Sequence, residues 1–301
     1  MMYMPILIKR GNMNIFFCIM MFIMGSFFGS FFTLAVYRLP LKKNITHERS
    51  FCPNCNHKLG VLDLFPVFSY IFLGGKCRYC SQKIKIRYLL LETLSGLVFV
   101  LAYLSYNMQY PFLEFYETLS LIMFILMYTV LAIIAGIDKE RIIIQKNVLM
   151  FGFCIDFLYN TFLYYGLHLH DNLYLNVKII FSVFAIIVYG IYLYFINKKD
   201  TIILGDETVK EKIKNNKEEL IEKILEEKDK RFKARYKIDI VMMLLYILLN
   251  TSIQVTVCAV IGILFVWCIS KVVKKEKVPY GFFLCIFTVI SLLLENVLIY
   301  Y

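Results

Sequence analysis

Long apolar runs separated by short polar stretches dominate the chain. The first runs from about Asn14 to Val36; Tyr88–Leu104, Leu119–Ile137, Val148–Tyr165 and Val177–Ile196 follow. Each approaches the ~20 residues that an α-helix needs to cross the ~30 Å hydrocarbon core of a bilayer. Ile238 to Ser270 is apolar again, with a polar break at Asn250-Thr251-Ser252, and reads as a tight hairpin of two short spans. A last run covers Gly281 to Tyr301. The pattern predicts an all-α polytopic membrane protein with about eight transmembrane helices. Inside the first run, Gly25, Ser26, Gly29 and Ser30 recur four apart, a spacing that lets a neighbouring helix approach closely.

The polar stretches orient the spans. Between Arg38 and Arg87 there are ten Lys/Arg residues against Glu48 and Asp63, a net charge of +8, which places this loop in the cytosol by the positive-inside rule. From Asn197 to Lys237 there are thirteen Lys/Arg and ten Asp/Glu, a solvated cytosolic insertion. Within it Ile213, Leu220, Ile221, Ile224, Leu225 and Phe232 recur at helical intervals. Glu219 with Lys223 and Glu226 with Lys230 add i,i+4 pairs, so an amphipathic helix is expected, resting on the protein or membrane surface or, alternatively, binding a partner. The segments are then a first span (14–36), a cytosolic loop domain (38–87), a membrane core in two parts (88–196 and 238–301) and the charged insertion (197–237) between those parts. Both termini fall outside, with Lys9 and Arg10 as the exception to the charge rule.

Composition sharpens this picture. Of 301 residues, 60% are hydrophobic and the mean hydropathy is +0.67, which excludes one large soluble core. A formal charge of +11 would suggest nucleic acid for a soluble protein. Here the basic residues sit in loops between spans, so the implied partner is the lipid bilayer and not nucleic acid. A transporter is disfavoured, since charged residues gather at span ends and not at the midplane. Five of the nine cysteines (Cys18, Cys154, Cys258, Cys268 and Cys285) lie in apolar runs, where cysteine behaves as a small hydrophobe.

The other four lie in the basic loop. Cys52-Pro-Asn-Cys55 is followed, after twenty-one residues, by Cys77-Arg-Tyr-Cys80. Two CxxC pairs at this separation predict a four-thiolate zinc site, closed and therefore structural. The same cysteines could form two disulfides or remain reduced and metal-free; the reducing cytosol argues against disulfides.

Around these cysteines the chain resembles the type IV prepilin peptidases, bacterial membrane aspartyl proteases. The resemblance is carried by Gly25-Ser-Phe-Phe, Val36-Tyr-Arg-Leu-Pro40, Cys52-Pro-x-Cys55, Asp63, Pro66, Ser69-Tyr70, Gly75-Lys-Cys-Arg-Tyr-Cys80, Arg87-Tyr88 and Glu92. Val278-Pro-Tyr-Gly281 is similar to the family's Pro-Phe-Gly-Pro turn before the last span, with Phe282 in place of the second proline. The resemblance implies a protein of the bacterial cytoplasmic membrane that cleaves the leader of type IV prepilin or pseudopilin substrates. It also implies N-methylation of the new amino terminus with S-adenosylmethionine. Such a peptidase needs two aspartates that share a proton. Asp138, ending an apolar run before Lys139-Glu140-Arg141, matches the first. The second is carried by Gly-x-Gly-Asp in the family. Ile203-Leu-Gly205-Asp206 keeps one glycine and lies sixty-eight residues beyond Asp138, so Asp206 is the first choice. Asp239 in Ile238-Asp239-Ile240 opens an apolar run, lacks an adjacent glycine, and is the alternative. For holding the cationic amine in the methylation step the candidates are Glu92 and Asp63; equally they are candidate structural partners for Arg87 and Lys76, the reading preferred here. No glycine-rich nucleotide loop is present. A competing class is a catalytically degenerate zinc-domain protein that binds pilins or the pilus assembly machinery. Nothing in the sequence fixes the oligomeric state.

Overall fold

The structure is a computed structural model that describes residues 4–41, 43–45, 49–52, 54–105, 115–166, 173–205, 218–273 and 278–300. Among them there are helices and two isolated bridges but no strand. The helices are α1 (Met4–Arg38), α2 (Phe68–Phe72), α3 (Arg87–Ser105), α4 (Phe115–Arg141), α5 (Lys146–Gly166), α6 (Leu173–Gly205), α7 (Glu218–Asn250), α8 (Ile253–Val272) and α9 (Tyr280–Tyr300). Among the described residues six helices are long and apolar enough to cross a membrane: Ile15–Leu41, Arg87–Ser105, Thr118–Arg141, Lys146–Tyr165, Asn176–Ile196 and Gln254–Lys271. A shorter apolar stretch, Tyr280–Glu295, lies in α9.

The chain divides into two compact units, Met1–Ile137 with Cys285–Tyr301, and Asp138–Leu284. In the first, α1 and α3 run antiparallel in close contact. A Cβ at Gly25 would come within 2.6 Å of the Ser95 carbonyl oxygen, and one at Gly29 within 2.8 Å of the Glu92 Cα. The small residues of the first apolar run therefore do what their spacing predicts: backbone meets backbone, and dispersion contacts replace the hydrophobic drive that lipid cannot provide. Phe28, Phe32, Phe99 and Tyr128 interlock beside them.

In the second unit α5 is the centre. Asp156 accepts from Ser182 of α6 at 2.6 Å and from Asn160 at 2.9 Å, a buried polar tie between spans. Phe153 packs on Tyr189 of α6 and Tyr246 of α7. The polar break at residues 250–252 ends α7, and Ser252 caps α8 by accepting from the Val255 N–H at 3.3 Å. One expectation changes here. The insertion from Glu218 onward and the first half of the apolar hairpin are one continuous helix, α7, with no interruption between its charged and apolar parts. Helical hydrogen bonding continues through a change of surroundings because nothing between Lys233 and Ile240 breaks it; there is no Gly or Pro. Residues 206–217, and Asp206 with them, lie outside the described residues.

Candidate metal centre and candidate active site

The four loop cysteines come together: their sulfurs all lie within 4.8 Å of one another, with Cys52 and Cys80 at 3.9 Å. The edge of a zinc–thiolate tetrahedron with ~2.3 Å bonds is about 3.8 Å, so the cluster fits that metal. The scaffold is a repeat at an offset of twenty-five residues. Phe51 bridges Lys58 as Lys76 bridges Lys83. The Cys52 N–H donates to the His57 carbonyl as the Cys77 N–H does to that of Gln82. Asn56 and Ser81 hold the equivalent left-handed turn position, at φ 55° and 58°. Each half thus offers two sulfurs from one tight turn. The backbone N–H groups of Cys55 and Asn54 point at the Cys52 sulfur and bring its thiol down to about 7, which prepares a thiolate for a cation. A metal here would supply cross-linking between the halves and no open coordination position.

Asp63 and Glu92 take other partners than Lys76 and Arg87. Asp63 accepts from Arg78 at 2.7 Å, from Tyr79 at 3.1 Å and from the Gly60 N–H at 3.1 Å. Its burial works against ionisation, but Arg78, Gly60 and Tyr79 outweigh it and hold the carboxyl below the usual carboxylate range. Glu92 accepts from the Val67 N–H at 2.8 Å, tying the lobe to α3. Sequence spacing could not find these partners, because the turns decide which cation faces inward.

Asp138 lies in the last turn of α4 and is fully buried. Its Oδ2 accepts from the Phe282 N–H at 2.9 Å, in the first turn of α9, where backbone donors have no helical partner and the dipole favours an acceptor. Gly281 allows this approach, since a Cβ there would stand 3.1 Å from Oδ2. Tyr236 of α7 also reaches this carboxyl, and its hydroxyl accepts from the Gly281 N–H at 3.4 Å. The Asp138 Oδ1 is buried and has no hydrogen-bond partner among the described residues. Asp239 stands three residues after Tyr236, on the same face of α7, one turn and about 4.5 Å of rise away. It is 4% exposed, and its Oδ1 is likewise buried without a hydrogen-bond partner among the described residues. Around it are Tyr189, Tyr192, Lys146 and Arg235. Sequence reasoning missed the tyrosines; the Tyr236-x-x-Asp239 spacing was the available signal.

Residues 23–106 match the family described as the bacterial peptidase A24 N-terminal domain. The chain is similar over part of its length to proteins named prepilin leader peptidase/N-methyltransferase. One from Myxococcus xanthus (strain DK1622) is 37% identical over 89 residues, 30% of this chain and 27% of the relative. One from Vibrio cholerae (serotype O1, El Tor Inaba N16961) is 31% identical over 155 residues, 49% of this chain and 58% of the relative. One from Bacillus subtilis (strain 168) is 30% identical over 131 residues, 44% and 49% respectively. The chain thus spans less than two thirds of the length of these peptidase-family relatives. The matched residues include the four-cysteine cluster, the second half of α1 and all of α3; Asp138, Asp206 and Asp239 lie beyond them. No solved structure matches the chain.

Proposed function

We propose that the chain is a leader peptidase of the bacterial cytoplasmic membrane. It cleaves prepilin-like or pseudopilin precursors at the cytosolic membrane face with two aspartates, Asp138 and Asp239. The observation that carries this reading is the pair of buried carboxyl oxygens without hydrogen-bond partners among the described residues, one on each of these aspartates. A buried polar atom without a partner costs roughly 1–3 kcal/mol and persists where function uses it. What supports Asp239 over Asp206 is Tyr236, which reaches Asp138 from the helical turn before Asp239. In this reading the charged insertion precedes the second aspartate. The Phe282 N–H holds the Asp138 Oδ2 as an acceptor. One carboxyl of the pair stays protonated and polarises the scissile carbonyl, while the other, ionised, takes a proton from the attacking water.

Eight spans belong to this proposal: the six long apolar helices, the apolar half of α7 and α9. The zinc lobe then faces the cytosol, where its net positive loop is favoured. Methylation of the new amino terminus rests on the names of the relatives alone.

The test is cleavage of a prepilin by Asp138→Asn, Asp239→Asn and Asp206→Asn variants, each with its zinc content measured. The first two are expected to be inactive with zinc retained, and the third active. An active Asp239→Asn with an inactive Asp206→Asn moves the second carboxylate to Asp206. A wild type that binds prepilins of several sequences without cutting any supports a binding protein instead.

A further inference from the structure

Between the two cysteine turns, residues 61–72 form an arm that carries seven exposed large apolar side chains. Val61 is 83% exposed, Leu62 76% and Phe72 84%; Leu64, Phe65, Phe68 and Ile71 are exposed as well. The arm has one charged residue, Asp63, whose side chain is 5% exposed and faces inward onto Arg78. By contrast, exposed lysines lie on the cysteine turns: Lys58 on the first, and Lys76 and Lys83 on the second. Apolar and cationic surface are thus separated along the lobe.

Two rulers give the arm's depth. Phe65 packs on Phe27 of α1, with ring centres 5.4 Å apart. Phe27 lies eleven residues before Arg38, the basic end of that helix, or about 16 Å along it. On α3, Glu92 binds the Val67 N–H five residues inside Arg87, about 8 Å along that helix. Phe68 shares an entirely apolar groove of about 480 Å³ with Ile19, Phe22 and Ile23 of α1 and with Leu104 of α3. Both helices are apolar enough to span. The arm therefore sits alongside membrane-crossing segments and below their charged ends.

Non-helical backbone at that depth requires internal partners for its polar groups, because lipid offers none. The Val67 N–H, at a left-handed φ of 63°, has the Glu92 carboxylate. The Asp63 N–H donates to the Gly60 carbonyl and the Leu64 N–H to that of Val61. These amides of the arm are satisfied inward while its apolar side chains turn outward, the arrangement a lipid-immersed segment favours.

We infer that residues 61–72 are a wedge inserted into the acyl region of the adjacent lipid leaflet, with the lysines of the cysteine turns resting on its anionic headgroups. Seven apolar side chains on one side and a rim of lysines on the other match an interfacial anchor. The wedge fixes the height of the metal lobe relative to the bilayer. This inference needs the membrane setting but neither the aspartate pair nor any cleavage.

The test uses the full chain, which has a single tryptophan, Trp267. In a Trp267→Phe background, a tryptophan is placed by Phe72→Trp, by Val61→Trp or, as a control on the second cysteine turn, by Gln82→Trp. Each protein is reconstituted in vesicles of phosphatidylcholine and phosphatidylglycerol, with zinc content checked to show that the lobe is assembled. Nitroxide carried on the acyl chain near the glycerol should quench the emission of the Phe72→Trp and Val61→Trp proteins several-fold more than that of the Gln82→Trp protein. Aqueous acrylamide should do the reverse. Acrylamide quenching of the arm with little nitroxide quenching would place it in water and overturn the inference. Resistance to both quenchers would place it against protein and overturn it equally.

Discussion

Gly281 offers a sharp probe of the Asp138 site. A methyl group added there would lie 3.1 Å from the Asp138 Oδ2, 3.3 Å from its Cγ and 3.5 Å from the Ile144 side chain. The first two distances are inside ordinary contact, so the carboxyl must move by a few tenths of an ångström. It is held by the Phe282 N–H at 2.9 Å, and movement weakens that bond. A hydrogen bond to a charged group is worth about 1.5–3 kcal/mol. At ~1.4 kcal/mol per decade, loss of alignment predicts a fall in cleavage rate of about ten- to a hundredfold for Gly281→Ala. The assay is kcat/KM on a prepilin substrate in detergent, with zinc content and melting temperature measured alongside. Gly190→Ala is the control, because a Cβ there meets only the Met150 Cε at 3.6 Å. Wild-type activity in Gly281→Ala, or an equal loss in Gly190→Ala, would refute the reasoning.

Other expected outcomes are independent of this one. Protein purified without chelator under reducing conditions should carry about one zinc per chain, and Cys77→Ser should lose it, both read by metal analysis. Gly29→Val should destabilise the α1–α3 pair, since its Cβ position is already 2.8 Å from the Glu92 Cα; a lowered melting temperature in detergent checks this. The Asp63 carboxyl sits below its ordinary value in the folded lobe, so its ionised form stabilises the lobe above the unfolded value of about 4 and that contribution is lost as pH falls through the lower folded value. The melting-temperature difference between wild type and Asp63→Asn should accordingly be full near neutrality and shrink in acid. In a cysteine-cleared background, a cysteine at Arg49 should resist an impermeant reagent in intact cells; labelling there would reverse the proposed orientation.

The sequence made the local parts legible and the distant ones obscure. Gly25 and Gly29 announced a close helix contact, and the CxxC pairs announced a cluster, because each signal depends on residues a few positions apart. Asp138 was visible as a carboxylate at the end of an apolar run. Its surroundings were not, since Tyr236, Gly281 and Phe282 come from elements far along the chain. The continuity of α7 was hidden for a different reason. A helix whose first half is charged and whose second half is apolar changes its hydrophobic pattern without changing its backbone, and pattern is what sequence reading detects. The partners of Asp63 and Glu92 were assigned to cations in the same loop, whereas turn geometry selected Arg78 for one and a backbone amide for the other.

The hydrogen bond between Asp138 and the Phe282 N–H joins residues 144 positions apart. During synthesis at ~5–20 residues per second, Asp138 is made on the order of ten seconds or more before α9 exists to receive it. Until then its carboxyl has neither the helix end nor the Gly281 turn against it. A growing chain therefore carries Asp138 without its Phe282 donor until α9 has been made, and in the proposed peptidase α9 is the helix that completes the site. A ribosome-bound chain stalled before Val278 should be inserted, metal-loaded and inert, and release of the remaining residues should start cleavage.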